Sequence, residues 1–193
     1  MNRSTFLPRA SPQLLADCLD HVVACDQDRN HFSSASLERT VDESDRRTID
    51  HIERFGCSVL HIAAEDELLP FTYSVGITRT STAPEVVVVG LKRGIAHYVV
   101  NEYNRRVRAG ERLVPGQRYS GFIEGFEVEV VQVDRSFYEE YFGHNLWLYQ
   151  GPNFEVLQLV YPNTSGVWPW QADANEGFKS WQPILGKLGH VHF

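Results

Sequence analysis

The segment Glu85-Val86-Val87-Val88-Val89-Gly90-Leu91 decides the fold. Its four consecutive valines are β-branched, and a strand with no polar member between them fits a sheet only where both faces are covered. Pro84 precedes the run and Gly90 interrupts it, as expected at the ends of a strand. We therefore predict a strand over 85–91 in the middle of a sheet.

Around this strand, the sequence predicts a sheet with a few helices. Residues rich in β-branched and aromatic types predict five more strands, over 57–63, 71–77, 118–123, 126–133 and 154–161. Apolar residues at three- and four-residue spacing predict helices over 44–55, 95–109 and 136–142. This order lacks the regular alternation of a doubly wound sheet. The predicted fold class is α+β, a mostly antiparallel twisted sheet with helices packed on one face.

The N-terminal part is predicted to be an appendage. Ser11 and Pro12 suit the first positions of a helix whose apolar stripe runs to Val23. Residues 26–42 are polar and aperiodic, which is typical of a linker. The predicted organisation is an N-terminal helix with a polar linker over 1–43 and a single α+β domain over 44–193.

Composition limits the compartment and the partners that we expect. A net charge of −7 argues against general nucleic-acid binding. No apolar run approaches the roughly 18 residues of a membrane helix, and the N-terminus has no apolar core suited to a secretory signal. An odd number of cysteines, three, favours a reducing compartment. We expect a soluble cytoplasmic protein without a membrane or nucleic-acid partner, and the oligomeric state stays open.

Positive charge is nevertheless concentrated in one stretch. Between Lys92 and Arg118 there are seven basic residues and two acidic ones. Such a stretch could hold a phosphate-bearing ligand or an acidic partner surface. It could equally be the solvated face of a helix, and the sequence leaves both interpretations open.

Common catalytic signatures are absent from the sequence: it has no phosphate-binding glycine loop, nucleophile-elbow pentapeptide, Cys-x-x-Cys pair or His-Glu-x-x-His helix. Cys57 is a nucleophile only if a histidine converges on it, and otherwise a small buried residue. Glu127 and Glu129 share one strand face, as a carboxylate pair or as a plain solvent face. His190 and His192 have a spacing that suits a metal but lie in the terminal tail. No metal site is predicted, no cofactor is identified, and enzymatic activity stays open.

Two segments are candidates for recognition. Trp168-Pro169-Trp170 carries two indole rings that are costly to leave in water, so they cover a core edge, a ligand or a partner. In Phe71–Ile77, alternation places Thr72, Ser74 and Gly76 on one small, polar face that a ligand or another backbone could approach.

Together these segments carry a family resemblance. Its pieces, in order, are Phe71-Thr72-Tyr73-Ser74-Val75-Gly76-Ile77, Ala83-Pro84-Glu85 with the valines that follow, Gln158-Leu159-Val160-Tyr161-Pro162 with Gly166, Trp168-Pro169-Trp170, and Gln182-Pro183. In order and spacing they resemble the domain of unknown function 4262 family of uncharacterised bacterial proteins, over about residues 49–185. Members commonly have His where this chain has Ala83, and Asp where it has Asn163. The resemblance gives no reaction.

The resemblance does imply which positions are characteristic of the family: Tyr73, Gly76, Glu85, Gln158, Trp168, Trp170 and Gln182. From these and their neighbours, the predicted ligand-binding residues are Tyr73, Ser74, Arg79, Gln158, Trp168, Trp170 and Gln182. The same residues could instead hold a C-terminal segment on the sheet.

Two functional hypotheses follow. The first is a small-molecule site, enzymatic or not, for an anionic or aromatic ligand. Its pocket is lined by Trp and Tyr residues that include Trp147 and Tyr149. Arg79 or the arginines of 105–112 would bind the anionic group. The second is a non-catalytic protein-binding module, such as an accessory or toxin-neutralising partner protein.

Overall fold

A computed structural model describes residues 43–65 and 69–187. The predicted N-terminal helix, the polar linker, His190 and His192 lie outside the described residues. In the described part, the strands are β1 (Ser58–Ile62), β2 (Phe71–Val75), β3 (Glu85–Val89), β4 (Arg118–Ile123), β5 (Phe126–Val133), β6 (Val156–Val160) and β7 (Gly186–Lys187). The helices are α1 (Glu43–Phe55), α2 (Ile77–Ser81), α3 (Arg93–Arg108), α4 (Tyr138–Tyr141), α5 (Gly143–Leu148) and α6 (Glu176–Trp181), with a 3₁₀ turn at Arg135–Phe137.

The strands form one sheet in the order β1-β2-β3-β6-β5-β4, and β7 pairs with β5. Only the β3–β6 pair is parallel among the strands described. In this pair Val87 lies opposite Gln158. The α+β class and the mostly antiparallel sheet are therefore confirmed.

The valine run accounts for the two apolar layers of the domain. Val86 and Val88 belong to a buried cluster that α3 covers, whereas Val87 and Val89 belong to a second cluster on the opposite face. The second cluster includes Ile52 of α1 as well as side chains from α4 and α5. Helices thus pack on both faces of the sheet, not on one face alone. Successive strand residues point to opposite faces, so a run of four valines needs apolar cover on both faces of the sheet.

Several boundaries differ from those predicted. The strand over 71–77 ends at Val75, because Gly76 has a φ of 105° and begins the short helix α2. The strand over 85–91 ends at Val89, and Gly90, with a φ of 80°, follows it. The helix over 136–142 is a 3₁₀ turn followed by α4, and α5, α6 and β7 were not predicted. These last elements are short, and short segments carry little periodicity from which to predict them.

Strand β5 does not have the uniformly wet face that its sequence suggests. Glu127 is exposed, but Glu129 is only 2% exposed and pairs with Arg118 of β4, with 2.9 Å between Nε and Oε2. Alternation alone therefore misplaces Glu129, because a neighbouring strand supplies a cation and the C-terminal part of the domain covers it.

In the part of the chain that is described, no helix combines the length and the apolar character needed to cross a membrane.

Candidate functional site

The predicted site residues fall into two separate groups. Tyr73 and Ser74 lie on β2, where Ser74 contacts the buried carboxylate of Glu85. The other group contains Gln158, Trp168, Trp170 and Gln182, which join the C-terminal segment to the sheet. Arg79 is exposed on α2. None of these residues lines either of the two clefts described below.

Glu85 is the most elaborately bonded carboxylate described. It is fully buried and accepts hydrogen bonds from the backbone N–H groups of Gly76 (3.0 Å) and Thr78 (3.1 Å), at the start of α2. The Ser74 hydroxyl donates at 2.5 Å, and the Tyr149 hydroxyl, just beyond α5, donates to the same carboxylate. Ser74 Oγ also accepts the N–H of Val86 at 2.9 Å, so its own proton is directed at Glu85.

Burial raises the pKa of Glu85 above its ordinary value, whereas the hydrogen bonds from Ser74, Tyr149, Thr78 and Gly76 oppose that shift. Burial and then the charge of Glu85 raise the pKa of Tyr149, so its hydroxyl stays protonated and donates. The carboxylate thereby connects β2, α2, β3 and the end of α5.

The β2 side of this network continues into α5. Asn145 Nδ2 donates to the backbone oxygen of Ser74 at 3.0 Å, and its Oδ1 is buried without a hydrogen-bond partner. The Tyr73 hydroxyl oxygen lies 3.4 Å from Nδ1 of His144, and burial raises the pKa of Tyr73. Tyr73 packs edge-on against Phe142, with ring centroids 5.6 Å apart. Tyr73 is therefore a core aromatic with a satisfied hydroxyl.

Two glutamine side chains attach the C-terminal segment to the sheet. Gln158 donates to the Pro183 oxygen at 2.8 Å and accepts the Leu185 N–H at 2.8 Å. Gln182 accepts the Tyr161 N–H at 3.0 Å and donates to the Tyr161 oxygen at 2.8 Å. Both amides are fully buried and use their donor and acceptor on backbone groups.

The two tryptophans form part of the same attachment. Trp168 is 6% exposed and stacks on Trp170 with ring centroids 5.1 Å apart and planes at 18°. The Arg118 guanidinium lies 4.3 Å from the centroid of Trp168, while it also pairs with Glu129. Trp168 packs on Val131 and Val160. In this arrangement the rings cover an edge of the core.

Two open surface clefts lie elsewhere, near the end of the sheet at which β3 and β6 begin. Their volumes are about 410 and 430 Å³, and both are lined by Arg135 and Glu155. We call the two together the Arg135 groove. The other residues of the first cleft are Thr78, Thr82, Ala83, Pro84, Asn153 and Phe154; those of the second are Gln132, Val133, Asp134, Tyr138 and Lys187. Thr78 connects the first cleft to the Glu85 network, since its N–H donates to Glu85.

The sequence matches the model of one known protein family. The model of the family described as Domain of unknown function (DUF4262) matches residues 51–175, about two thirds of the sequence. The chain belongs to the DUF4262 family. No curated protein and no solved structure matches it. The match includes the β2, β3 and Trp168 segments of the resemblance and ends before Gln182 and Pro183.

The basic stretch of this DUF4262 domain is largely engaged within the domain. Arg105 and Arg106 both pair with Glu102 at 2.7 Å. Arg108 donates to the backbone oxygen of Phe55 at 2.9 Å, near the end of α1. These arginines therefore hold helix ends and helix faces together, which leaves them less available to a ligand.

Cys57 has no nucleophilic environment in the DUF4262 domain. The thiol is 3% exposed, and burial, followed by the charge of Glu85, raises its pKa to about 12. Among the described residues, no group of three or more His, Cys, Asp or Glu side chains could hold a metal ion.

Sequence reasoning missed two residues of this region. Tyr149 was considered as a pocket aromatic but not as a hydrogen-bond partner of Glu85, although the Pro84-Glu85 motif was a signal that Glu85 matters. Arg135 had no signal at all, because only the tertiary structure brings it beside residues 82–84 and 153–155.

Proposed function

We propose that this DUF4262 domain binds a small anionic ligand in the Arg135 groove. The observation that carries the proposal is the position of Arg135, where the two clefts meet, with no carboxylate within 4.0 Å among the described residues. A planar guanidinium with unused donors suits carboxylate or phosphate groups. The Arg135 groove is not the Trp/Tyr-lined pocket that the sequence predicts, because Trp168 and Trp170 line neither cleft.

Other lining residues support a ligand with both polar and apolar parts. Asn153 and Thr82 offer hydrogen-bonding groups, and Phe154 and Pro84 offer apolar surface for a ring or a chain. Glu155 is exposed beside them, and its negative charge repels an anion. Glu155 therefore lowers the affinity of the groove for an anionic ligand. A bacterial, cytoplasmic setting is part of the proposal; the buried free thiol of Cys57 suits it.

An NMR titration with inorganic phosphate and with benzoate tests the proposal, using the backbone amide signals of residues 78–83, 135 and 153–155. In the wild type we expect the anions to shift these signals. The shifts should disappear in Arg135→Gln, and binding should be stronger in Glu155→Gln. Arg79→Gln is the matched control, because Arg79 is an exposed arginine that lines neither cleft. Shifts confined to Trp168 and Trp170, or the same response in Arg135→Gln as in the wild type, would contradict the proposal.

The second candidate function is the non-catalytic protein-binding module. It is favoured by three large apolar side chains, Ile95, Tyr98 and Trp181, each of which is 46% exposed. A protein that binds the wild type but not Ile95→Ser/Tyr98→Ser, while neither anion shifts the groove signals, would favour this function over ligand binding.

A further inference from the structure

Two histidines lie where α3 meets the edge strand of the sheet. His61 on β1 is paired with Thr72 of β2, and Thr72 is paired with Val88 of β3, which α3 covers. Residues paired directly across strands share a face, so His61 lies on the face that carries α3. His97 is on α3, four residues after Arg93. The Nδ1 of His61 lies 2.7 Å from the Thr72 hydroxyl oxygen.

The hydrogen bonds of His97 require the neutral imidazole. The amide nitrogen of Asn101 lies 2.9 Å from His97 Nδ1 and 3.0 Å from the His97 backbone oxygen. An amide nitrogen only donates, so Nδ1 accepts and the ring proton is on Nε2. Protonation of Nδ1 would place two donors against each other and break this bond.

The charged neighbours also disfavour protonation. Burial lowers the pKa of both imidazoles, and Arg93 lowers both further; His97 adds to the effect on His61. Among the described residues, the charged groups that lower these pKa values are Arg93 and, for His61, also His97, both of which lie on α3; β2 contributes the uncharged Thr72. A proton on both rings would place two positive charges where α3 packs against β1.

We propose that His61 and His97 make the packing contact between α3 and edge strand β1 pH-sensitive, so that this contact is intact at neutral pH and weakened in mild acid. The sign follows from linkage: both histidines have a pKa below the ordinary 6.5 in the folded domain, so the unfolded chain binds protons more readily. Stability is therefore fully present above about pH 6.5 to 7 and falls as the pH drops below the unfolded value.

Urea unfolding between pH 5.5 and 8.0 tests the contact. The wild type should lose stability towards pH 5.5, and His61→Gln/His97→Gln should lose most of that dependence. His51→Gln is the control, because His51 is an exposed histidine on α1, and it should keep the wild-type profile. A double variant with the wild-type pH dependence would overturn the proposal.

Two measurements on unmodified protein keep the test decisive if the double variant folds poorly. Ring-proton NMR titrations should give a lower pKa for both histidines in native protein than in urea-unfolded protein. A native pKa that equals or exceeds the unfolded pKa would overturn the proposal. Hydrogen exchange, corrected for intrinsic rates, should rise more at pH 5.5 in residues 58–62 and 93–101 than in 126–133. A uniform rise would show a global effect and no local contact.

Discussion

At the scale of single residues, Glu85 determines how β2, α2 and β3 meet. A buried carboxylate without a cation is costly, and this one is compensated by hydrogen-bond donors alone: two backbone N–H groups and two hydroxyls. Gly76 permits this geometry, because its φ of 105° turns the chain and presents its N–H to the carboxylate. The family motif at Glu85 thus has a structural role, because the carboxylate joins β3 to β2 and to the start of α2.

We expect Glu85→Gln to lower the free energy of unfolding by about 1–3 kcal/mol. All four partners donate to Glu85, whereas glutamine keeps only one acceptor oxygen. Its NH₂ group faces either the N–H groups of Gly76 and Thr78, which cannot accept, or the Ser74 hydroxyl, which must then give up its role as a donor. Urea denaturation gives the value. Glu127→Gln, at an exposed position of β5, serves as the control and should change stability by less than about 0.5 kcal/mol. Equal effects of the two substitutions would show that the network contributes little.

At the scale of elements, the last described strand is held by side chains more than by its own length. Strand β7 has two residues, yet the segment before it is attached by four hydrogen bonds: Gln158 bonds two backbone groups of that segment, and Gln182, within it, bonds two backbone groups of Tyr161. The Gln182 amide pairs with both backbone groups of Tyr161, as a neighbouring strand would. Stacking of Trp168 and Trp170 covers the same region.

We expect Gln182→Ala to destabilise the domain by at least about 1–3 kcal/mol, because it leaves the buried N–H and oxygen of Tyr161 without partners. Amide exchange of Tyr161 and residues 184–187 should accelerate more than exchange in α3. Gln117→Ala is the matched control, because Gln117 is exposed. Unchanged exchange at 184–187 would mean that the glutamine does not hold this segment.

At the scale of the whole molecule, two apolar layers enclose the sheet, and Cys57 lies at the boundary of α1 and β1 inside one of them. Its thiol can react only when the domain opens, because burial excludes reagent and raises the pKa to about 12. Relative to a thiol with the ordinary value of 9.0, a shift of this size leaves about a thousand-fold less thiolate near neutral pH.

We therefore expect the Cys57 thiol, in a Cys18→Ser/Cys25→Ser variant, to react with a disulfide reagent at pH 8 at least about a hundred-fold more slowly in native protein than in urea. The reaction rate is measured from the increase in absorbance of the thiolate that the reagent releases. Because reaction requires opening, Glu85→Gln should raise the native rate by about tenfold for each 1.4 kcal/mol by which it lowers the free energy of that opening. A native rate equal to that in urea would contradict the burial of Cys57.

Several features of the fold were predictable because they depend on local patterns. The valine run 86–89 predicts cover on both faces, and both faces are covered. Helix 44–55 and strands 118–123 and 126–133 lie within one residue of their predicted limits. The sequence predicts a strand as far as Ile77 and no helix over 77–81, since nothing in Ile77 to Ser81 itself shows that Gly76 ends β2.

The fold class, the family, and the motif positions around Ser74, Glu85 and Gln158 can be read from the order of the residues, because β-periodicity and short motifs are properties of neighbouring residues. What those positions do depends on the three-dimensional arrangement of the chain. Whether an amide or an indole meets a ligand or a backbone depends on contacts between residues far apart in sequence, such as Gln158 with Pro183 or Glu85 with Tyr149. For the same reason Arg135, which carries the proposed function, has no signal in the sequence around it.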